Sequence, residues 1–175
     1  MQRPAGHPSL YPSRRSQFLT DMSCNSCGFA SHQGKLMSLI RLVYASHSLL
    51  DDSNRREELG EILSSARRFN EANDITGFLL ATRGAFAQVL EGEAARLSET
   101  YARIEADPRH TGLQVLSRAP VAERLFAGWT MGVAEHDETT QFIFGLYGVT
   151  PETDLPTQPV DALLDLAGEL ARRPG

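Results

Sequence analysis

Between Leu39 and Val133 the apolar residues change their spacing from two to a mixture of three and four, and back, twice over. A period of two marks a half-buried strand, and i, i+3, i+4 spacing marks an amphipathic helix. Leu39 to Ala45 reads as a strand with Ile40, Leu42 and Tyr44 on one face. Ser53 or Asn54 then stands where a helix is capped. From there to about Asn73, Leu59, Ile62, Leu63, Ala66 and Asn70 form one helical stripe that faces a sheet. Ile75 to Thr82 and Ala85 to Glu91 read as strands joined by the tight turn Arg83-Gly84, an antiparallel hairpin. Gly92 breaks the hairpin, and Glu93 to Ala106 reads as a second helix with Leu97, Tyr101 and Ile104 on one face. Asp107-Pro108 stops it. Leu113 to Leu116 begins a fourth strand, Pro120 to Ala127 is a connection, and Trp129 to Val133 reads as a fifth strand with Trp129, Met131 and Val133 on one side.

This order, β-α-β-β-α-β-β, predicts an α+β fold: a ferredoxin-like β-α-β-β-α-β with an added fifth strand and two helices on one face of a mixed sheet. The expected organisation is a flexible N-terminal extension over 1–37, a folded domain over 38–135 and a C-terminal extension over 136–175. The N-terminal stretch is rich in Pro, Ser, Gly and Gln and lacks sustained periodicity. Met37 directly precedes the first strand, so a start at Met37, with an over-long reading frame upstream, is one expectation. Beyond the domain, 141–148 is apolar but interrupted by glycine, and 160–172 resembles a short amphipathic helix.

Several function classes lose support at once. The net charge is −5 and no long basic run appears, which argues against direct nucleic-acid binding. No apolar run is long enough to span a bilayer, so the default expectation is the cytoplasm. Ser13 to Leu19 faintly resembles a twin-arginine signal but no apolar region follows it. The two cysteines, Cys24 and Cys27, form a C-x-x-C in a Ser/Gly/Asn-rich stretch with no strand before it, and only His32 is close. That context suits neither thioredoxin-like chemistry nor a zinc site, and two free thiols are expected. Dinucleotide-binding, P-loop and nucleophile-elbow motifs are absent. His7, His32, His47 and His136 fall in tail or loop positions and the carboxylates are scattered, so neither a hydrolase nor a metalloenzyme is supported.

The informative residues are polar ones on faces that should be apolar. Tyr44 lies on the apolar face of the first strand, Asn70 on the stripe of the first helix, and Gln88 between Phe86 and Leu90. A buried polar group is costly unless hydrogen-bonded, so three in one small domain point to a shared polar ligand in the groove between the helices. Gln88 carries a donor and an acceptor that exchange places on rotation about its last bond; the alternative is a glutamine at a sheet edge, in contact with water. Tyr44 offers a redox-active phenol, or a core tyrosine with its hydroxyl at the rim. Asn70 is a poor helix former, so it either serves a ligand or marks a fraying helix end. Arg109 and His110 follow Pro108 and read as an anion or carbonyl contact, or as a solvated turn. Arg67-Arg68, near the end of the first helix, are accounted for by the helix dipole.

Taken together these residues resemble the BLUF family, the blue-light sensors that use flavin, from about Leu39 to Ala134. The opening strand Leu39-Ile40-Arg41-Leu42-Val43-Tyr44-Ala45-Ser46 is similar to the family's first strand and its tyrosine. Asn70 with Asp74-Ile75-Thr76-Gly77-Phe78-Leu79-Leu80 resembles the N-x-x-x-x-I-T-G-x-L run, and Phe86-Ala87-Gln88-Val89-Leu90-Glu91-Gly92 the F-x-Q-x-L-E-G signature. Asp107-Pro108-Arg109-His110 matches the D-x-R-H turn, and Phe126-Ala127-Gly128-Trp129-Thr130-Met131-Gly132 is similar to the closing F-x-x-W-x-M-G.

The resemblance implies a non-covalent flavin, usually FAD with FMN as the alternative, its ring between the two helices. It implies Tyr44 as light-driven electron and proton donor, Gln88 as the bridge from phenol to flavin, and Asn70 at the ring's polar edge. Arg109 and His110 would lie beside the flavin, and Trp129 and Met131 would pass the change outward. Phe69 departs from the polar residue many members carry there. The expected function is a photoreceptor, not an enzyme, signalling through its last strand and C-terminal segment to a homo-oligomer or a separate effector protein. Candidate contact surfaces are 142–147 and 160–172, and deletion of 141–175 is expected to spare the photocycle but abolish the partner response. The alternatives are a ferredoxin-like module binding another ligand or a protein, and a flavin-dependent oxidoreductase.

Overall fold

The structure, a computed structural model, describes residues 38–173. The N-terminal extension, the Cys24/Cys27 pair, the Ser13–Leu19 segment and the start at Met37 lie outside the described residues. Ten elements follow in order: β1 (Leu39–Ser48), α1 (Arg55–Ala72), β2 (Thr76–Ala81), β3 (Ala85–Glu93), α2 (Ala94–Glu105), β4 (His110–Pro120), β5 (Gly132–Glu135), α3 (Gln141–Leu146), a 3-10 turn (Leu155–Thr157) and α4 (Val160–Ala171).

The sheet order is β4-β1-β3-β2-β5. Each pair among the first four strands is antiparallel, and β5 lies parallel to β2. This is the expected ferredoxin-like arrangement with an added strand. The order puts β3 at the centre, so Gln88 is not an edge residue, and it is 5% exposed. Tyr44 and Gln88 are paired directly across β1 and β3, and Gln88 also faces Leu79 of β2.

Strand alternation divides the core in two. Leu42, Tyr44, Leu79, Phe86 and Leu90 point to the face covered by α1 and α2, with Leu59 and Leu97. Val43, Phe78, Leu80, Ala87 and Val89 point to the opposite face and pack against Ile143, Phe144, Leu155, Leu163, Leu166 and Leu170. The C-terminal segment therefore forms a third layer over the sheet. A bare second face would leave a strongly apolar sheet in water, and α4 supplies the cover. Only Phe142 and Leu146 of the 142–147 stretch remain large and exposed.

Local chemistry sets several boundaries. Asn54 stands at the N-cap of α1 as expected, but its side chain makes no capping bond. Glu93 caps α2, accepting from the amides of Ala95 and Arg96. The fourth strand is longer than periodicity indicates: β4 begins at His110, and its edge position leaves most of its residues exposed, which erases the alternation. The fifth strand begins later than expected, at Gly132. Trp129 and Met131 thus precede β5, and they do not share a side. Trp129 packs edge-on against Phe78 at 6.0 Å, on the α3/α4 face, whereas Met131 joins the α1/α2 core. The Phe126–Thr130 turn breaks the two-residue alternation that the expectation relied on.

Candidate functional site

A groove opens between α1 and α2 above the sheet, lined mostly by apolar side chains with a few convergent polar groups, the make-up of a small-molecule site. Ile62, Ala66, Phe69 and Asn70 of α1 form one wall, and Thr100, Arg103 and Ile104 of α2 the other. Tyr44, Ser46, Gln88 and Leu90 form the floor, with Met131, Asp107, Arg109 and His110 at the ends. The strand period explains the floor: Tyr44 and Ser46 alternate along β1, as do Phe86, Gln88 and Leu90 along β3. Tyr44, Asn70, Gln88, Arg109, His110 and Met131 are thereby gathered around one cavity; Trp129 is not among its lining residues.

Gln88 is held from both sides. The Tyr44 hydroxyl donates to its Oε1, and its Nε2 donates to the Met131 sulfur at 3.0 Å. The Tyr44 ring stands edge-on to Tyr101, with centroids 5.9 Å apart. Burial pushes the Tyr44 phenol well above the usual tyrosine range, and Tyr101 and Asp107 push it further. The proton stays on this oxygen at any ordinary pH, so the phenol is a donor at rest.

Asn70 is 1% exposed, and its Nδ2 donates to the Thr130 carbonyl at 2.7 Å. Its own backbone carbonyl accepts from Asn73 and Ile75 as α1 ends. The residue is therefore neither frayed nor solvated; it ties α1 to the chain just before Met131. Arg67 does the same, donating from Nε to the Met131 carbonyl at 3.0 Å. Its position lies before the last turn of α1, which holds no basic residue, so the dipole account expected for it gives way to this specific contact.

Arg109 forks onto Asp107, with Nε at 2.9 Å from Oδ1 and Nη2 at 2.6 Å from Oδ2. These bonds hold the Asp107 carboxyl below its usual range and raise the guanidinium. Arg109 also lies 3.6 Å from Glu61, so its charge is largely committed within the protein. His110 Nε2 lies 2.7 Å from the Ile104 carbonyl. A carbonyl only accepts, so Nε2 carries a proton, and in that tautomer of the imidazole Nδ1 is an acceptor.

Two buried polar atoms have no partner among the described residues: Nδ1 of His110 and Oγ of Ser46. Both residues line the groove. An acceptor and a hydroxyl left bare in one cavity are what a flat, heteroatom-rich ring with N–H and carbonyl groups would satisfy, and the apolar walls suit its faces. The residues present fit a flavin. At the mouth, the Arg103 guanidinium lies 3.8 Å above the Phe69 ring, so the unusual Phe69 has a cation–π partner across the groove.

Sequence reasoning passed over Ser46, Asp107 and Arg103. The period-two rule applied one step past Tyr44 would have found Ser46. Asp107 was read as a helix stop and as the start of the D-x-R-H turn but given no role of its own, and nothing in the sequence reveals the Arg103–Phe69 stack, which depends on how two helices approach. Among the described residues no cluster of His, Cys, Asp or Glu could hold a metal ion, and no helix is long and apolar enough to cross a membrane.

Comparisons with known proteins bear on the same stretch. Residues 39–132, more than half of the 175, match the family model described as "BLUF: Sensors of blue-light using FAD". The chain is 36% identical over 106 residues to the photoactivated adenylate cyclase subunit beta of Euglena gracilis; the match covers 60% of this chain and 12% of that protein. Among solved structures it is similar to BlsA in its photo-activated state (TM-score 0.67, 28% identity, 78% of this chain and 96% of that one). It is likewise similar to the BLUF protein BlrB in its dark state (TM-score 0.66, 26% identity, 77% and 98%). With the Tyr44–Gln88 pair on the floor of the groove and the family match running from the start of β1 to the first residue of β5, this chain belongs to the BLUF family of blue-light sensors using flavin.

Proposed function

We propose that this chain is a blue-light photoreceptor in which Tyr44 is the photochemical donor, Gln88 the switch and Met131 the first residue to respond. The observation that carries the reading is the hydrogen-bonded line from Tyr44 through Gln88 to Met131 along the floor of the groove. Ser46, Asn70 and His110 are the polar groups that would hold the flavin, with FAD as the expected form and FMN as the alternative. Bound there, the flavin supplies blue-light absorption and an excited ring able to take an electron and a proton.

Tyr44 would give up both from its hydroxyl group and recover both when the cycle closes, so the chain would end each cycle unchanged. Burial keeps the phenol protonated beforehand, which couples the two transfers. Gln88 changes its hydrogen bonding as the phenol does. A half-turn about its last bond brings the NH2 to the Tyr44 oxygen, which can accept, and the carbonyl to the Met131 sulfur, which has no proton to give. Reversal therefore breaks the Gln88–Met131 bond and releases Met131. The Ile62, Leu79 and Leu90 side chains keep water from competing for the amide.

The output is a change in self-association or in the grip on a separate effector protein, and the chain itself catalyses no reaction on a substrate. The test is spectroscopic. Purified chain supplied with FAD, FMN or riboflavin should retain a yellow flavin and show a reversible red shift under blue light. Lasting bleaching by a reduced nicotinamide cofactor, with no red shift, would instead mark a flavin-dependent oxidoreductase. A chain that binds no flavin would mark a ferredoxin-like module for another ligand.

A further inference from the structure

The chain between β4 and β5 carries Trp129 and Met131, yet it has little regular structure of its own. It is held at successive points by other elements. The Trp129 carbonyl accepts from the Gly77 amide at 2.9 Å, Thr130 from Asn70, and Met131 from Arg67. The first point of attachment is Glu91. Its carboxylate is fully buried and accepts from the Leu125 and Phe126 amides, each at 2.9 Å. Arg41 neutralises it at 2.7 Å and also reaches the Glu123 carbonyl. Arg124 bonds the Glu91 backbone carbonyl at 2.9 Å, and its other nitrogen reaches Asp74. Phe126, so placed, stacks on Phe78, and Phe78 meets Trp129 on its edge.

We propose that Glu91 is a positioning residue for the light response: its buried carboxylate fixes the start of the 125–131 segment, and this anchoring makes Met131 and Trp129 follow the Gln88 amide. The proposal rests on the photoreceptor reading above and extends it to a residue that touches neither the groove nor Gln88. Glu91 and Gln88 point to opposite faces of β3, since they are three residues apart on one strand. The segment enters on Glu91's face as Phe126 and leaves on Gln88's face as Met131. A chain pinned at its entry transmits a push at its exit, whereas a loose one absorbs it. Charge-assisted bonds from a buried carboxylate to backbone amides are strong enough to serve as that pin.

Trp129 is the sole tryptophan, so its fluorescence reports the segment directly. Glu91→Gln keeps the volume but replaces one accepting oxygen by an NH2 that faces an amide donor. In flavin-free full-length chain the acrylamide quenching constant of Trp129 should rise about twofold or more, as local opening becomes easier. In flavin-loaded chain the red shift should survive while the light-induced change in Trp129 quenching is lost. Arg41→Gln, which leaves both amide bonds in place but removes the counter-charge, should give a smaller rise in the same direction; it decides the matter if Glu91→Gln does not fold. Quenching and light response equal to the parent chain in whichever variant folds would overturn the proposal. If no chain shows a red shift, the photoreceptor reading fails, yet the flavin-free quenching still decides whether Glu91 anchors the segment.

Discussion

The Gln88 amide has two neighbours of unlike capacity. Tyr44 can donate or accept; the Met131 sulfur can only accept, and weakly. The observed arrangement satisfies both ends of the amide, and the reversal proposed above would leave Met131 without a donor. Gln88→Leu is expected to retain flavin but lose the red shift, and Tyr44→Phe to lose it as well; absorption spectra before and after illumination check both. Ser46→Ala and Asn70→Ala each remove a group lining the groove and should weaken flavin binding by about tenfold, the loss of one buried hydrogen bond, as measured by titration of flavin fluorescence. Because burial, Tyr101 and Asp107 hold the Tyr44 phenol above its unfolded value, the folded state keeps a proton that the unfolded chain gives up near pH 10. Stability that is fully present below about pH 10 is then lost as pH rises past it. Denaturant melts of the parent chain from pH 8 to pH 11 should show this decline, and Tyr44→Phe should flatten it.

The strands and helices explain why the site was readable at all. Period-two spacing puts Tyr44 and Gln88 on an inward face, and helical spacing puts Asn70 there too, so the residues with the most misplaced polarity are legible in the sequence. What remained hidden depends on contacts between elements far apart in sequence. Glu91 looked like the end of a hairpin, yet it anchors Leu125 and Phe126 from more than thirty residues away. Arg67 passed for a dipole partner, yet it bonds Met131. β4 lost its signal because it is an edge strand, mostly exposed, whose register against β1 shifts twice, so that Leu113 and Leu116 pack on opposite faces. Close approach within the sheet also leaves a mark: a Cβ on Gly77 would sit 2.2 Å from the Val89 carbonyl oxygen, a backbone atom with nowhere to go. Gly77→Ala should lower stability by about 1–3 kcal/mol, the range for an overpacked interior. It should also shift the Trp129 carbonyl that Gly77 holds, which denaturant melts and Trp129 emission together would reveal.

At the scale of the molecule, the groove lies on one face of the sheet and the C-terminal helices lie on the other. The connection is short: Met131 leads directly into β5, and His136 at its end meets the Phe144 ring of α3 at 5.0 Å. Arg55, from the start of α1, ties the same strand through Glu135 at 2.6 Å. Periodicity made the ferredoxin-like frame and α4 legible, but it gave no sign that α4 would cover the sheet, because an apolar helix face reads alike whether it packs within the chain or against a partner. This changes the expectation for deleting 141–175. Removal strips the cover from Val43, Phe78, Leu80, Ala87 and Val89, so the truncated chain should aggregate or unfold well below the parent's melting temperature rather than photocycle normally. Phe142→Ser with Leu146→Ser, which alters only exposed positions, should leave stability within about 0.5 kcal/mol and serves as the cleaner probe of partner binding. The most direct test of the whole account is the light-minus-dark absorption spectrum of the flavin-loaded chain, recorded beside Gln88→Leu. The account predicts a small red shift that reverses in darkness in the parent chain and is absent in the variant; an unshifted parent spectrum, or a variant that shifts as the parent does, would contradict it.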